Sequence, residues 1–231
     1  METKLERIWS VLLSGNQGAV SDSAATMATQ WWHTGWQRVK DHYSEEVRHY
    51  HTLNHIETMF DLLEEYRDRL KSQDAVSWAI FFHDVIYNPQ AKDNEEQSAE
   101  LFKQFAWSCL RDKPNMTQMT YDLIMATKHH VTDAHKIPDS FGKEDVHYFL
   151  DFDMQVLGWP DADYDRYAEQ IRQEYIHIPH QQYCIGRSKV LSTFLQTTNI
   201  FATKDLRDKY EVQARSNIKR EIERLQRQIE S

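Results

Sequence analysis

Apolar residues along the chain recur three and four positions apart and seldom alternate, a spacing that predicts helices throughout. A first helix is expected over 5–13. After a Gly/Ser/Asn loop, Ser21 or Asp22 can cap a long helix running through Trp31, Trp32 and Trp36. The pattern then predicts helices over 45–71, 74–87, 93–110, 117–130, 143–157, 163–175 and 181–197, with Pro114, Pro138, Pro160 and Pro179 in the gaps where helix breakers belong. In the last segment, 204–231, Ile218, Ile222, Leu225 and Ile229 follow one another at four-, three- and four-residue steps among charged residues, which predicts an amphipathic helix. It is expected to pack over its own domain, a homodimer contact being the alternative. Strand signals are nearly absent. The expectation is an all-α chain of one domain, since neither an internal repeat nor a linker divides it.

Composition narrows the class. Of 231 residues, 40% are hydrophobic and 12% aromatic, enough for a sizeable core, and the tryptophans at helical spacing read as part of it more readily than as a ligand-stacking box. The net charge of −9 argues against a nucleic-acid polymer as partner, because such a partner rewards a basic face through counterion release. Cys109 and Cys184 stand far apart, without the spacing of a disulfide framework or a cysteine zinc site. A charged N-terminal stretch and the lack of any apolar run near 18 residues lead us to expect a cytoplasmic protein without a membrane partner.

Candidate chemistry begins at RHYHTLNHI, residues 48–56, which holds three of the chain's twelve histidines. In a helix, Arg48, His51 and His55 would share one face and His49 would point away. Farther on, His83 and Asp84 interrupt the apolar run of Ile80, Phe81, Phe82, Val85 and Ile86. Burying an imidazole and a carboxylate there is costly unless each has a partner, either a divalent metal or a hydrogen bond between the two at a helix end. A third such interruption lies in FLDFDMQVL, 149–157. On a helix, Asp153 shares a face with Phe149, Leu150, Val156 and Leu157, whereas Asp151 falls on a more polar side. Asp153 is therefore the preferred ligand and Asp151 the second choice.

The order His, then His-Asp, then Asp resembles the HD superfamily of metal-dependent phosphohydrolases. The strings YHTLNHI, FFHDVIYNP, DNEEQSA, ATKHH, DFDMQVLG and IRQEY are similar to the successive motifs of a branch known as predicted HD phosphohydrolases, and they span roughly 48–187. The resemblance implies a helical HD core with additional N- and C-terminal helices, gathering His55, His83, Asp84 and Asp153 around one or two divalent ions. YHTLNH is also similar to the YHxxxH motif of cyclic-nucleotide phosphodiesterases, which implies His55 as ligand and His51 as general acid. No purine-clamping segment accompanies it. Imidazole and carboxylate donors without cysteine suit Mn, Fe, Co, Ni, Zn or Mg. Such an ion polarises a phosphoryl oxygen and brings the pKa of bound water toward neutrality, with Asp84 as bridge if two ions bind.

Further roles follow from position and resemblance together. Met119, Leu123, Thr127 and His130 would share a helix face, so His130 is expected to point inward, with His129 about 100° away; the resemblance implies that His130 serves a second metal or the substrate phosphate, a satisfied core histidine being the other reading. Glu96 is a candidate for orienting the catalytic water, although Asp93, Glu95 and Glu96 also suit a plain helix N-terminus. Arg48 is a candidate phosphate fork, a structural ion pair being the other reading. Arg172, Glu174, Tyr175 and Arg187 belong to motif-like strings without derivable roles. The expected function is hydrolysis of a small phosphate ester, a nucleotide or related metabolite. The alternatives are a di-iron oxygenase on the same scaffold, kept open by His129 and His130, and a catalytically silent metal-stabilised binding module.

Overall fold

A computed structural model describes residues 2–15, 25–110 and 112–230, and in the second helix the side chains from Thr34 onward. The described residues are helical as expected: eleven α-helices, two short 3-10 turns, and no strand beyond one isolated bridge between Gly142 and Thr203. None of these helices is long and apolar enough to cross a membrane. The sequence shows no linker, yet the chain divides into two compact units, Met1–Lys128 and His129–Ser231.

The first unit holds α1 (Lys4–Gly15), α2 (Ala25–His42), α3 (Leu53–Glu65), a 3-10 turn (Arg67–Arg69), α4 (Gln73–Phe82), α5 (Asn94–Cys109) and α6 (Pro114–Ala126). Every residue of α4 from Ala75 to Phe82 is buried, so the helix has no solvent face and must be surrounded. It is flanked by α3, α5 and α6. Around it stands an aromatic cluster in which Trp9 meets Trp78 and Phe81 edge to face, at centroid distances of 5.1 and 5.2 Å, with Trp36 and Phe105 against the same indole. Trp36 thus packs against the core, as expected, although it is only half-buried. The side chains of Trp31 and Trp32 fall outside the described residues. This core fixes the C-terminal end of α4, where His83 and Asp84 follow.

Several expected helices are shorter than their periodicity. The one expected over 45–71 begins only at Leu53, because Thr52 is extended, with φ −115° and ψ −179°, and its side chain accepts the Asn54 amide. Residues 45–52 are turns, so Arg48 and His51 do not share a helix face with His55. The helix expected over 74–87 stops at Phe82, and the one over 117–130 runs from Pro114 to Ala126. That early stop removes His130 from the α6 face, on which Leu123 and Thr127 are buried but Met119 is exposed. The expected cap of the second helix, Ser21 or Asp22, lies outside the described residues; the remaining expected bounds hold within a few residues.

The second unit holds α7 (Asp133–Lys136), α8 (Asp145–Met154), a 3-10 turn (Gln155–Gly158), α9 (Asp161–Glu174), α10 (His180–Gln196) and α11 (Lys204–Glu230). As expected, α11 packs within its own unit, on α10 and the 3-10 turn, burying Leu206, Ala214, Ile218 and Leu225. The turn approaches so closely that a Cβ at Gly158 would sit 2.5 Å from Cβ of Tyr210. Polar anchors hold the same face. Asn217 donates to the carbonyls of Leu157 and Trp159, both at 2.8 Å, and buried Glu221 accepts from Tyr164 Oη at 2.5 Å and from Arg187 Nε at 3.0 Å.

Candidate metal centre

His55 lies in the first turn of α3, and His83 and Asp84 lie just past the end of α4, so two helix ends bring three donor side chains together. Each of the three offers a ligand atom within 4.8 Å of the other two. Nε2 of His83 is 3.3 Å from Nε2 of His55 and 3.2 Å from Oδ2 of Asp84. Both histidines are buried, and the Asp84 carboxylate is partly open to solvent.

Hydrogen bonds behind the rings set their orientation. Nδ1 of His83 lies 3.0 Å from the Ile80 carbonyl, one of the acceptors that the last turn of α4 leaves unpaired. A carbonyl only accepts, so a proton sits on Nδ1, and when the ring is neutral Nε2 presents a lone pair toward His55 and Asp84. Nδ1 of His55 is 3.1 Å from Tyr50 Oη. Two imidazoles, each supported from behind, and a carboxylate, converging without cysteine, fit a borderline divalent ion, and three protein ligands would leave positions for water or substrate.

His51 stands beside this group. Its ring stacks on Tyr87 with centroids 4.4 Å apart and 29° between planes, its Nε2 is 4.0 Å from Asp84 Oδ2, and about a fifth of the side chain is exposed.

Arg48 requires a correction. Its guanidinium is not a phosphate fork in this structure: the side chain is inaccessible, and its donors go to Glu45 Oε2 and to the carbonyls of His51, Asp84 and Val85, at 3.1, 3.3, 2.6 and 2.9 Å. It also lies over the rings of Tyr43 and Tyr87. It clamps the turn carrying His51 to the turn carrying Asp84. Removing it would strand buried carbonyls, so Arg48→Ala is expected to cost about 3–5 kcal/mol in urea unfolding, and Arg48→Lys less, since lysine keeps the charge but loses the fork. A loss under about 1 kcal/mol in Arg48→Ala would show that the clamp is incidental.

Other expected residues have partners of their own. Glu96, in the first turn of α5, is paired with Lys128, whose pKa is raised chiefly by that hydrogen bond. Asp93 occupies the cap position without a side-chain cap bond. Within the second unit, His130 takes a left-handed backbone conformation, φ 52°, and its Nε2 is 2.7 Å from Oδ2 of Asp153, while His129 is exposed.

The expected contrast between the two aspartates of α8 is reversed. Asp151, assigned to the polar side, is the buried one, accepting from the amides of Ala202 and Thr203 at 2.7 and 2.8 Å and from Thr203 Oγ1 at 2.7 Å. Burial pushes its carboxyl up to about 7 while those donors pull it down. With both oxygens committed to the start of α11, Asp151 is a structural residue. Asp153 is less buried and holds His130.

Two of the four residues left without roles by sequence, Arg172 and Arg187, are tied into their own unit. Arg172 donates to the carbonyls of Tyr175 and Ile178 and lies over the Tyr183 ring, and Arg187 pairs with Glu221. Sequence reasoning missed Tyr50, Tyr87 and the Ile80 carbonyl. Tyr50 and Tyr87 had a signal, standing within YHTLNHI and FFHDVIYNP.

Comparison of the chain with known protein families, curated proteins and solved structures finds no match.

Proposed function

We propose that the chain is a metal-dependent phosphohydrolase acting on a small phosphate ester, a nucleotide or related metabolite. The observation that carries this reading is the convergence of His55, His83 and Asp84, one carboxylate and two imidazoles, at the ends of two helices. These three would hold the ion. The resemblance adds Asp153 as a further ligand, a part of the reading that rests on sequence. When bound, a divalent ion supplies Lewis acidity and a water of lowered pKa.

The protein's own residues supply the rest. His51, partly exposed and beside the ligands, protonates the leaving oxygen, and the stacked Tyr87 ring limits how far its imidazole can turn. The Ile80 carbonyl keeps the His83 proton on Nδ1, and Arg48 holds the two turns at their separation. The net charge of −9 fits a small substrate better than a nucleic-acid polymer.

Elemental analysis of the purified chain, followed by phosphate-release assays over nucleotides and sugar phosphates with Mn, Co, Ni and Mg, tests the proposal. The expected result is bound metal, turnover of one substrate class and no salt-sensitive binding to duplex DNA. Metal without turnover on any phosphate ester would replace the hydrolase with a metal-stabilised binding module. Iron with oxygen uptake and no phosphate release would replace it with a di-iron oxygenase.

A further inference from the structure

Histidine stands at the third position of two helices in the second unit, His135 in α7 and His147 in α8, and in both the ring turns back on the start of its own helix. Nδ1 of His135 accepts the Thr132 amide at 2.9 Å, and Nδ1 of His147 accepts the Glu144 amide at 3.0 Å. A cap of this kind ordinarily uses glutamate or glutamine at that position, whose oxygen is an acceptor near neutral pH. An imidazole accepts only through an unprotonated nitrogen. A backbone N–H only donates, so both Nδ1 atoms carry lone pairs, and each ring caps its helix only while it is neutral.

The two caps bound one connection, 132–147, which is strapped to residues 199–207. The Asn199 amide donates to the His135 carbonyl at 3.0 Å and its side chain to the Ala134 carbonyl at 2.9 Å, Arg207 donates to the Ser140 carbonyl at 2.8 Å, and the Gly142 amide donates to the Ala202 carbonyl at 2.9 Å. Gly142 lies so close to the His147 ring that a Cβ there would sit 2.2 Å from its Cγ. The ring that caps α8 therefore also packs on the strap.

We propose that His135 and His147 form an acid latch: neutral, they cap α7 and α8 and hold the 132–147 connection against 199–207, and protonated they release it. The latch is independent of the metal-site reading. Its surroundings oppose a proton. Burial, then His147, Arg207 and His130, push the pKa of His135 down to about 4, and burial lowers that of His147, with the Glu144 carboxylate acting the other way. Asp133 and Asp145 stand in the same first turns, and Arg207 in turn faces Glu211, Asp151, Asp208 and Asp139. An imidazole freed from its cap takes up a proton near its ordinary pKa of about 6.5. Below that pH the opened form gains protons that the closed form refuses, so the latch is fully stable above about 6.5 and weakens as pH falls. One unit lower, each ring favours opening by about tenfold, and the two together by about a hundredfold.

Amide hydrogen exchange of the full chain, with each rate divided by its intrinsic rate at the same pH, tests the latch. Protection of the Thr132 and Glu144 amides should fall by about 10–100-fold between about pH 7.5 and about pH 5.5. In the double variant His135→Gln, His147→Gln, the side-chain oxygens accept from the same amides without titrating, and the fall should disappear. Asp151, which holds the Ala202 and Thr203 amides, is unchanged in that variant, so its own titration is separated from the histidines'. Protection that does not change with pH in wild type, or an equal acid loss in the double variant, would overturn the proposal. Nitrogen NMR of histidine-labelled wild type gives a second readout that needs no variant. Both rings should carry their proton on Nε2 at about pH 7.5 and titrate below about 6.5. A proton on Nδ1 of either ring at the higher pH, or a ring that titrates above about 6.5 with its amide still protected, would overturn the latch even if the variant failed to fold.

Discussion

Replacing His83 with alanine is expected to remove the metal and all metal-dependent turnover together, the largest effect of any substitution considered. His83 is the shared neighbour in the centre, 3.3 Å from His55 Nε2 and 3.2 Å from Asp84 Oδ2, and its own orientation is set by the Ile80 carbonyl. Without its ring, the remaining imidazole and carboxylate no longer enclose a common position. A ligand-linked stability measurement makes the prediction quantitative. A metal that binds only the folded chain, added at a thousand times its dissociation constant, should stabilise wild type by about 4 kcal/mol. His83→Ala should gain almost nothing, and His55→Ala and Asp84→Ala should behave alike. Full metal occupancy in His83→Ala by elemental analysis would defeat the assignment.

His51→Ala should separate chemistry from metal binding. The ring lies outside the convergent group, 4.0 Å from Asp84 Oδ2, stacked on Tyr87 and partly open to solvent. As general acid it is worth ~10²–10⁴ in rate, roughly 3–5 kcal/mol of barrier. The variant should keep its metal and fold while turnover of alkyl phosphates falls by about that factor. For nitrophenyl esters, whose leaving group needs no proton, the fall should be smaller. Equal impairment on both substrates, or loss of metal, would make His51 a ligand or a structural residue.

The parts of the centre legible in sequence are those where local pattern and local structure coincide. His83 and Asp84 stand out because two polar groups interrupt an apolar run, and α4 does bury that run on every side. The wheel on 45–56 failed for a tertiary reason. Arginine and histidines three and four residues apart imitate helical spacing, but Arg48 is bound to carbonyls thirty-six and thirty-seven residues away, and a turn allows those bonds. The burial expected of the two aspartates of α8 is reversed for the same kind of reason. Asp151 is buried by donors at Ala202 and Thr203, distant in sequence, which periodicity within one helix does not register. Helix bounds were legible where capping chemistry is local, as at Lys204, where Thr203 Oγ1 accepts the Leu206 amide, and blurred where a turn replaces a cap, as after Phe82.

The guanidinium of Arg48 joins a turn at 48–52 to the turn after α4, and one side chain cannot release one of them while holding the other. Local unfolding at the two turns is therefore one event with one free energy rather than two independent frayings. His51, carried by one turn, and Asp84, carried by the other, are kept or lost together, and a partly opened chain presents either both of them in place or neither.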